Sequence, residues 1–175
     1  MSSMLDRLCT ILPVPEGVRS HASWGEAEQN LGTKLPLDYK NFIDLYGPGE
    51  VQDYLLIESL VDREGENSVS WWDRQIADLR SAADRVPEGY TLEPGRVNLL
   101  PWALTIDQDI CYWWMEPRED PNQWWVVSRD RDVSWWSVFE GSMVEFLIEI
   151  LSGNRRERWM PFDFPEEPLW YAIDS

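Results

Sequence analysis

The sequence predicts a single α+β domain over residues 1–175, with an antiparallel or mixed sheet of about four to six strands and helices packed mainly on one of its faces. Three observations point there. Segments of helical period bunch before residue 84 and again after residue 140. Four short segments of strand character lie between them, joined by connections too brief for crossover helices. Three Trp-Trp pairs, at 113/114, 124/125 and 135/136, recur every eleven residues, which is about one strand plus its turn.

The first helix is read from Leu5, Leu8, Cys9 and Leu12 on one face, with Ser2 or Ser3 as cap and Pro13 and Pro15 closing it. The second is SWGEAEQNLG (23–32): Ser23 and Glu26 have capping-box spacing, Trp24, Ala27 and Leu31 share a face, and Gly32 suits a left-handed end. The third, LPLDYKNFIDLYGPG (35–49), has Pro36 in its first turn, Tyr39, Phe42, Ile43 and Tyr46 at helical spacing, and Gly47 as its stop. Residues 51–61 read as one or two strands and DREGENS (62–68) as a charged loop. A fourth helix follows over 70–83, with Trp72, Ile76, Leu79 and Ala83 inward.

Strand-like pieces occupy about 97–103, 109–115, 123–128 and 133–139. The last helix is GSMVEFLIEILSG (141–153), with a Ser142/Glu145 capping box and Gly153 as terminator. The tail from 154 to 175 carries Trp159, Phe162, Phe164, Trp170 and Tyr171 without a clear period, and is expected to pack on the core. One possible resting place is the far face of the sheet.

Neighbouring residues of a strand point to opposite faces, so each Trp-Trp pair should place one ring in the helix-covered core and the other on the far face. The far-face rings then need either a cover or a ligand.

The residues also carry a family likeness. Trp24, Glu28, Leu31-Gly32, Leu35-Pro36, Asp38-Tyr39-Lys40, Phe42, Tyr46-Gly47 and Gly49 are spaced as in the opening signature of the SUKH superfamily, the Smi/Knr-type domain, which this segment resembles. LLPWALTIDQDICYWW, WWVVSRD and SMVEFLIEILSG are similar to the later blocks of that family in the same order, so the resemblance covers roughly 20–153. Where many relatives have a Gly before the acidic residue of the strand hairpin, this chain has Asp107-Gln108-Asp109. The resemblance implies an α+β fold. It further implies a bacterial immunity protein that binds and blocks a polymorphic toxin, often a nuclease, or, as in fungal relatives, a regulatory scaffold.

Composition restricts the partners. With 32 acidic against 15 basic residues the formal charge is −17, a field that repels nucleic acid and anionic membranes and attracts cationic proteins. No apolar run approaches the ~20 residues of a membrane span. No basic and apolar leader opens the chain, so a cytoplasmic location is expected. Cys9 and Cys111 are read as free thiols, His21 as a surface or capping residue, and no motif for a metal, cofactor or nucleophile is present, so no catalytic residue is assigned. Asp107, Asp109, Glu116, Glu119 and Asp120 beside Trp113 and Trp114 raise a glycosidase reading, and the tryptophans a carbohydrate-binding one. Both rank below an interface in which the acids Glu58, Asp62, Glu64, Glu66, Asp107, Asp109, Glu116, Glu119 and Asp120 cover a basic toxin cleft. An exposed ring among Trp71, Trp113 and Trp125 would anchor that interface.

Overall fold

The computed structural model describes residues 3–18, 23–61 and 68–173; Asp62, Glu64, Glu66 and His21 lie outside them. Among these residues it has five α-helices, α1 (Met4–Cys9), α2 (Trp24–Leu31), α3 (Leu37–Tyr46), α4 (Ser68–Ser81) and α5 (Met143–Leu151). Its strands are β1 (Gly49–Val51), β2 (Leu55–Ile57), β3 (Leu99–Thr105), β4 (Ile110–Trp114), β5 (Trp125–Arg129), β6 (Trp136–Phe139) and β7 (Tyr171–Ile173). They form one sheet in the order β6-β5-β4-β3-β2-β1-β7, antiparallel throughout, so the α+β class is correct and the tail adds an unforeseen strand at one edge.

Local sequence explains most helix ends. Ser3 accepts from the Asp6 N–H while the Asp6 carboxylate accepts from the Ser3 N–H, and Ser142 and Glu145 do the same for α5. These reciprocal bonds satisfy donors that a first turn leaves without partners. At Ser23 the expected box does not form: the residue has φ −83° and ψ 77°, and its side chain makes no cap bond. The start of α3 is held from a distance, since the Asn122 side-chain oxygen accepts from the Leu37 N–H at 2.8 Å. Asp38 ties α3 to α5 by accepting from the Val144 N–H at 3.0 Å.

Alternation along β4 sends Cys111, Trp113 and Met115 to one face and Ile110 and Tyr112 to the other. On the first face they meet Leu8 and Leu12 of the α1 segment, Tyr39, Phe42 and Tyr46 of α3, and Phe146, Leu147 and Ile150 of α5. A bulge between Pro101 and Ala103 puts Trp102 and Ala103 both on this side. Trp102, Trp113 and Trp124 are each at most 2% exposed there. Burial of such a ring removes ~150–250 Å² of surface from water, so this face supplies much of the driving force for folding.

The second face is covered by α4, through Ile76 and Leu79, and by the segment after it, through Val86, Tyr90 and Leu92. The tail does not lie here. Trp159, Met160, Phe164, Leu169 and Tyr171 join the α1, α3 and α5 side. Glu157, 3% exposed, pairs with Arg155 beneath them.

Candidate partner-binding surface

Strand direction decides which predicted residues can act together. In β3 and β4 the ends are Leu99 with Trp114, and Leu104 with Ile110. Glu116, Glu119 and Asp120 follow β4 and Trp125 begins β5, so all four gather at the Leu99 end. Glu58 follows β2 on the way to that end, its N–H bonded to the Trp102 carbonyl. The first turns of α4 bring Trp71 to the same end, because neighbouring Trp72 donates its indole N–H to the Leu99 carbonyl at 3.0 Å. Asp107 and Asp109 belong to the β3–β4 turn at the opposite end, beyond a strand of ~14 Å. Sequence proximity joined these acids; the intervening strand separates them.

Asp109 and Trp113 cannot serve as contacts. Asp109 is 6% exposed, with its carboxylate held by the Thr105 hydroxyl at 2.7 Å and the Arg131 N–H at 3.0 Å. Trp113 is 1% exposed and packs edge-on against Tyr39. Of the three rings singled out in the sequence, Trp71 and Trp125 are half-buried and keep part of their surface exposed.

The loop carrying Glu116 and Glu119 is fixed from beneath. Asn98 accepts from the Met115 N–H, Pro117 accepts from the Trp124 indole at 2.8 Å, and Arg118 donates to the Val97 carbonyl at 3.0 Å. Asp120 turns into the loop, accepting from the Asn122 N–H and the Gln123 amide. Glu116 and Glu119 point outward. Among the described residues the ion pairs fall on Glu28, Glu93, Asp132 and Glu157, leaving these two carboxylates, and Asp107, outside them. The Tyr39 hydroxyl sets the start of the neighbouring loop by donating to the Glu58 carbonyl and accepting from the Leu60 N–H, both at 2.8 Å. Burial pushes the Tyr39 phenol far above its ordinary pKa, so it stays a neutral donor.

Beside this loop, α2 and its C-terminal turn form a cleft of about 440 Å³ with Arg118 and Glu119. Its floor is Glu28, bonded to Lys34 at 2.9 Å, Lys40 at 2.8 Å and the Leu35 N–H at 3.0 Å. Burial raises the pKa of this carboxyl, but the bonds from Lys40, Leu35 and Lys34, with the Lys40 charge, outweigh it and hold the value at about 2. Glu28 is thus spent on joining α2 to α3.

The outward tryptophans are covered rather than displayed. Trp114 faces Trp125 at 5.6 Å, and Tyr90 stacks on Trp136 at 5.3 Å and meets Trp114 edge-on at 6.3 Å. The indole nitrogens of Trp114 and Trp136 are buried. A flat stacking platform for sugar rings is not formed from them. Sequence reasoning also missed Phe162, 99% exposed, and Ile106, 60% exposed, because nothing in their local pattern distinguishes an outward apolar side chain from one that seals a core.

Among the described residues no group of three or more His, Cys, Asp or Glu side chains is arranged to hold a metal, and no helix is long and apolar enough to cross a membrane. A family model described as SUKH_6, SMI1-KNR4 cell-wall, matches residues 21–147. The chain belongs to the SUKH superfamily. This SUKH domain therefore carries the Smi/Knr-type fold over most of its length, including the loop with Glu116 and Glu119. Neither the curated proteins nor the solved structures that were compared gave a match. At the hairpin turn Asp107-Gln108-Asp109, Gln108 has φ 72°, in the left-handed region that favours glycine.

Proposed function

We propose that this chain is an immunity protein, without enzymatic activity of its own, that binds a cognate polymorphic toxin domain in the cytoplasm and covers its basic active-site surface. Members of the SUKH family are often immunity proteins and are in general non-catalytic interaction domains, which supports the reading. The observation that carries it is the outward pair Glu116 and Glu119, which lie outside the ion pairs of the described residues and share one end of the sheet with Trp71 and Trp125. Half-buried rings flanked by free carboxylates suit a partner whose cleft is lined with Lys and Arg, the usual lining where nucleic acid is bound. Glu58 extends that surface, and Asp62, Glu64 and Glu66, outside the described residues, follow it in the sequence with further negative charge. Asp107 would contribute long-range attraction from the other end. Inhibition is steric and electrostatic.

Co-expression with the toxin encoded beside it tests the proposal. The wild type should restore growth and the Glu116→Lys, Glu119→Lys double variant should not, while both remain folded. Equal killing with and without the wild type contradicts it. Capture of endogenous cellular proteins without any toxin would instead favour the scaffold role.

A further inference from the structure

Among the described residues, Arg129 is a buried arginine that is ion-paired to no carboxylate. It is 4% exposed on the α4-covered face of β5, opposite Ile110 and Trp136. Its Nε donates to the Tyr112 hydroxyl at 3.0 Å and its Nη1 to the Asp130 carbonyl at 2.9 Å, with the guanidinium 6.0 Å from the Tyr112 ring. Among the described residues it makes no ion pair, and these two bonds leave three of a guanidinium's five N–H donors. Its Nη2 is not closed off from solvent, so the remaining donors open onto the surface groove that Arg129 lines, where an anion can reach them.

Such an anion has a place to sit. Arg129 lines a groove of about 380 Å³ with Arg85 and Asp78 from the α4 side, Gln108 from the β3–β4 turn, and Arg131 and Asp132 from the β5–β6 turn. Arg85 is held in position by donating to the Asp132 carbonyl at 3.1 Å. Arg131 and Asp132 are mostly exposed and 3.9 Å apart, a weak pair on the rim. Three guanidinium groups against two carboxylates leave the groove one positive charge, set in a molecule of net charge −17.

We infer that this groove is a binding site for a single carboxylate, taken by the free N–H donors of Arg129 and closed over by Arg131 and Arg85. Guanidinium groups bind carboxylates through paired hydrogen bonds, so a monoanion matches both the geometry and the one surplus charge. A dianion is disfavoured by Asp78, Asp132 and the surrounding field. The carboxylate comes either from a small free acid or from an Asp or Glu side chain on a protein partner. The site lies at the opposite end of the sheet from Glu116 and Glu119, so it stands or falls independently of toxin docking.

The test follows the Arg129 Nε–Hε resonance in isotope-labelled full-length protein. Sodium acetate is titrated against sodium chloride at constant ionic strength, with inorganic phosphate as a second titrant. Acetate should shift the resonance saturably and chloride should not. The exposed variants Arg131→Gln and Arg85→Gln, which leave the core untouched, should each weaken acetate binding by about tenfold, the loss expected of one charge-assisted contact. Identical responses to acetate and chloride, tighter binding of phosphate than of acetate, or unchanged affinity in both variants would overturn the inference. A lysine-rich peptide with one internal glutamate, compared with its glutamine counterpart, identifies the source. Binding of the glutamate peptide below the acetate concentration assigns the carboxylate to a protein side chain, and preference for acetate assigns it to a free acid.

Discussion

Trp114 and Trp125 stand directly opposite each other on β4 and β5, with ring centroids 5.6 Å apart, while their chain neighbours Trp113 and Trp124 point through the sheet into the α1, α3 and α5 side. The eleven-residue recurrence of Trp-Trp is therefore a device of the antiparallel sheet. One ring of each pair builds the core and the other builds an aromatic band on the second face.

The two rings of a pair should differ in their contribution to stability. Trp113→Ala removes a fully enclosed side chain and should cost ~3–5 kcal/mol in urea unfolding. Trp125→Ala, at a half-buried position, should cost clearly less and leave the denaturant slope unchanged. Equal losses for the two would contradict the division between core and band.

Acid should release the α2–α3 junction. The folded pKa of Glu28, about 2, lies below its ordinary 4.5, so its stabilisation is complete above pH 4.5 and is lost as pH falls towards 2. Glu28→Gln should lower stability at pH 7 by ~1–3 kcal/mol, the range for a charged hydrogen-bond partner. The variant should also lose less stability than the wild type between pH 5 and 2. Parallel stability curves for the two proteins over that interval would show that the carboxylate is not the responsible group.

Gly49 is a requirement of the last strand. A Cβ on Gly49 would lie 2.1 Å from the Ala172 carbonyl oxygen, closer than any real contact, so Gly49→Ala should displace β7 from the sheet edge. Amide hydrogen exchange at 171–173 should accelerate markedly while β3 and β4 stay protected. Retained protection at Ala172 would mean that the edge accommodates the methyl group.

What the sequence made legible was local or periodic. The stops at Gly32 and Gly47, the Ser142/Glu145 box and the inward stripe Tyr39, Phe42, Ile43 and Tyr46 each depend on residues within a turn or two, and the structure has them where expected. The Ser23 box failed because the Ser23 backbone is not in the extended conformation from which a side chain reaches the third residue of a helix. β7 was hidden because a three-residue strand has no period, and its pairing rests on Gly49, more than a hundred residues earlier.

The candidate surface was legible in part. Glu116, Glu119 and Trp125 meet because one loop joins β4 to β5, whereas Asp107 was grouped with them although β4 lies between. The cover over Trp114 and Trp136 was not readable, since the apolar stripe Ile76 and Leu79 predicts a buried helix face but not which side of the sheet it buries. Arg129 escaped notice because an arginine in a strand beside aspartates reads as paired, and only the fold shows that it is not.

Under the proposed function, the end of the sheet that carries Glu116 and Glu119 captures a basic toxin domain electrostatically. The most direct measurement is the association rate with the cognate toxin at low and high salt, for the wild type and the Glu116→Lys, Glu119→Lys variant. Added salt should slow the wild type by about tenfold or more, and charge reversal should slow association at low salt and flatten the salt dependence. An association rate indifferent to both salt and charge reversal would contradict it.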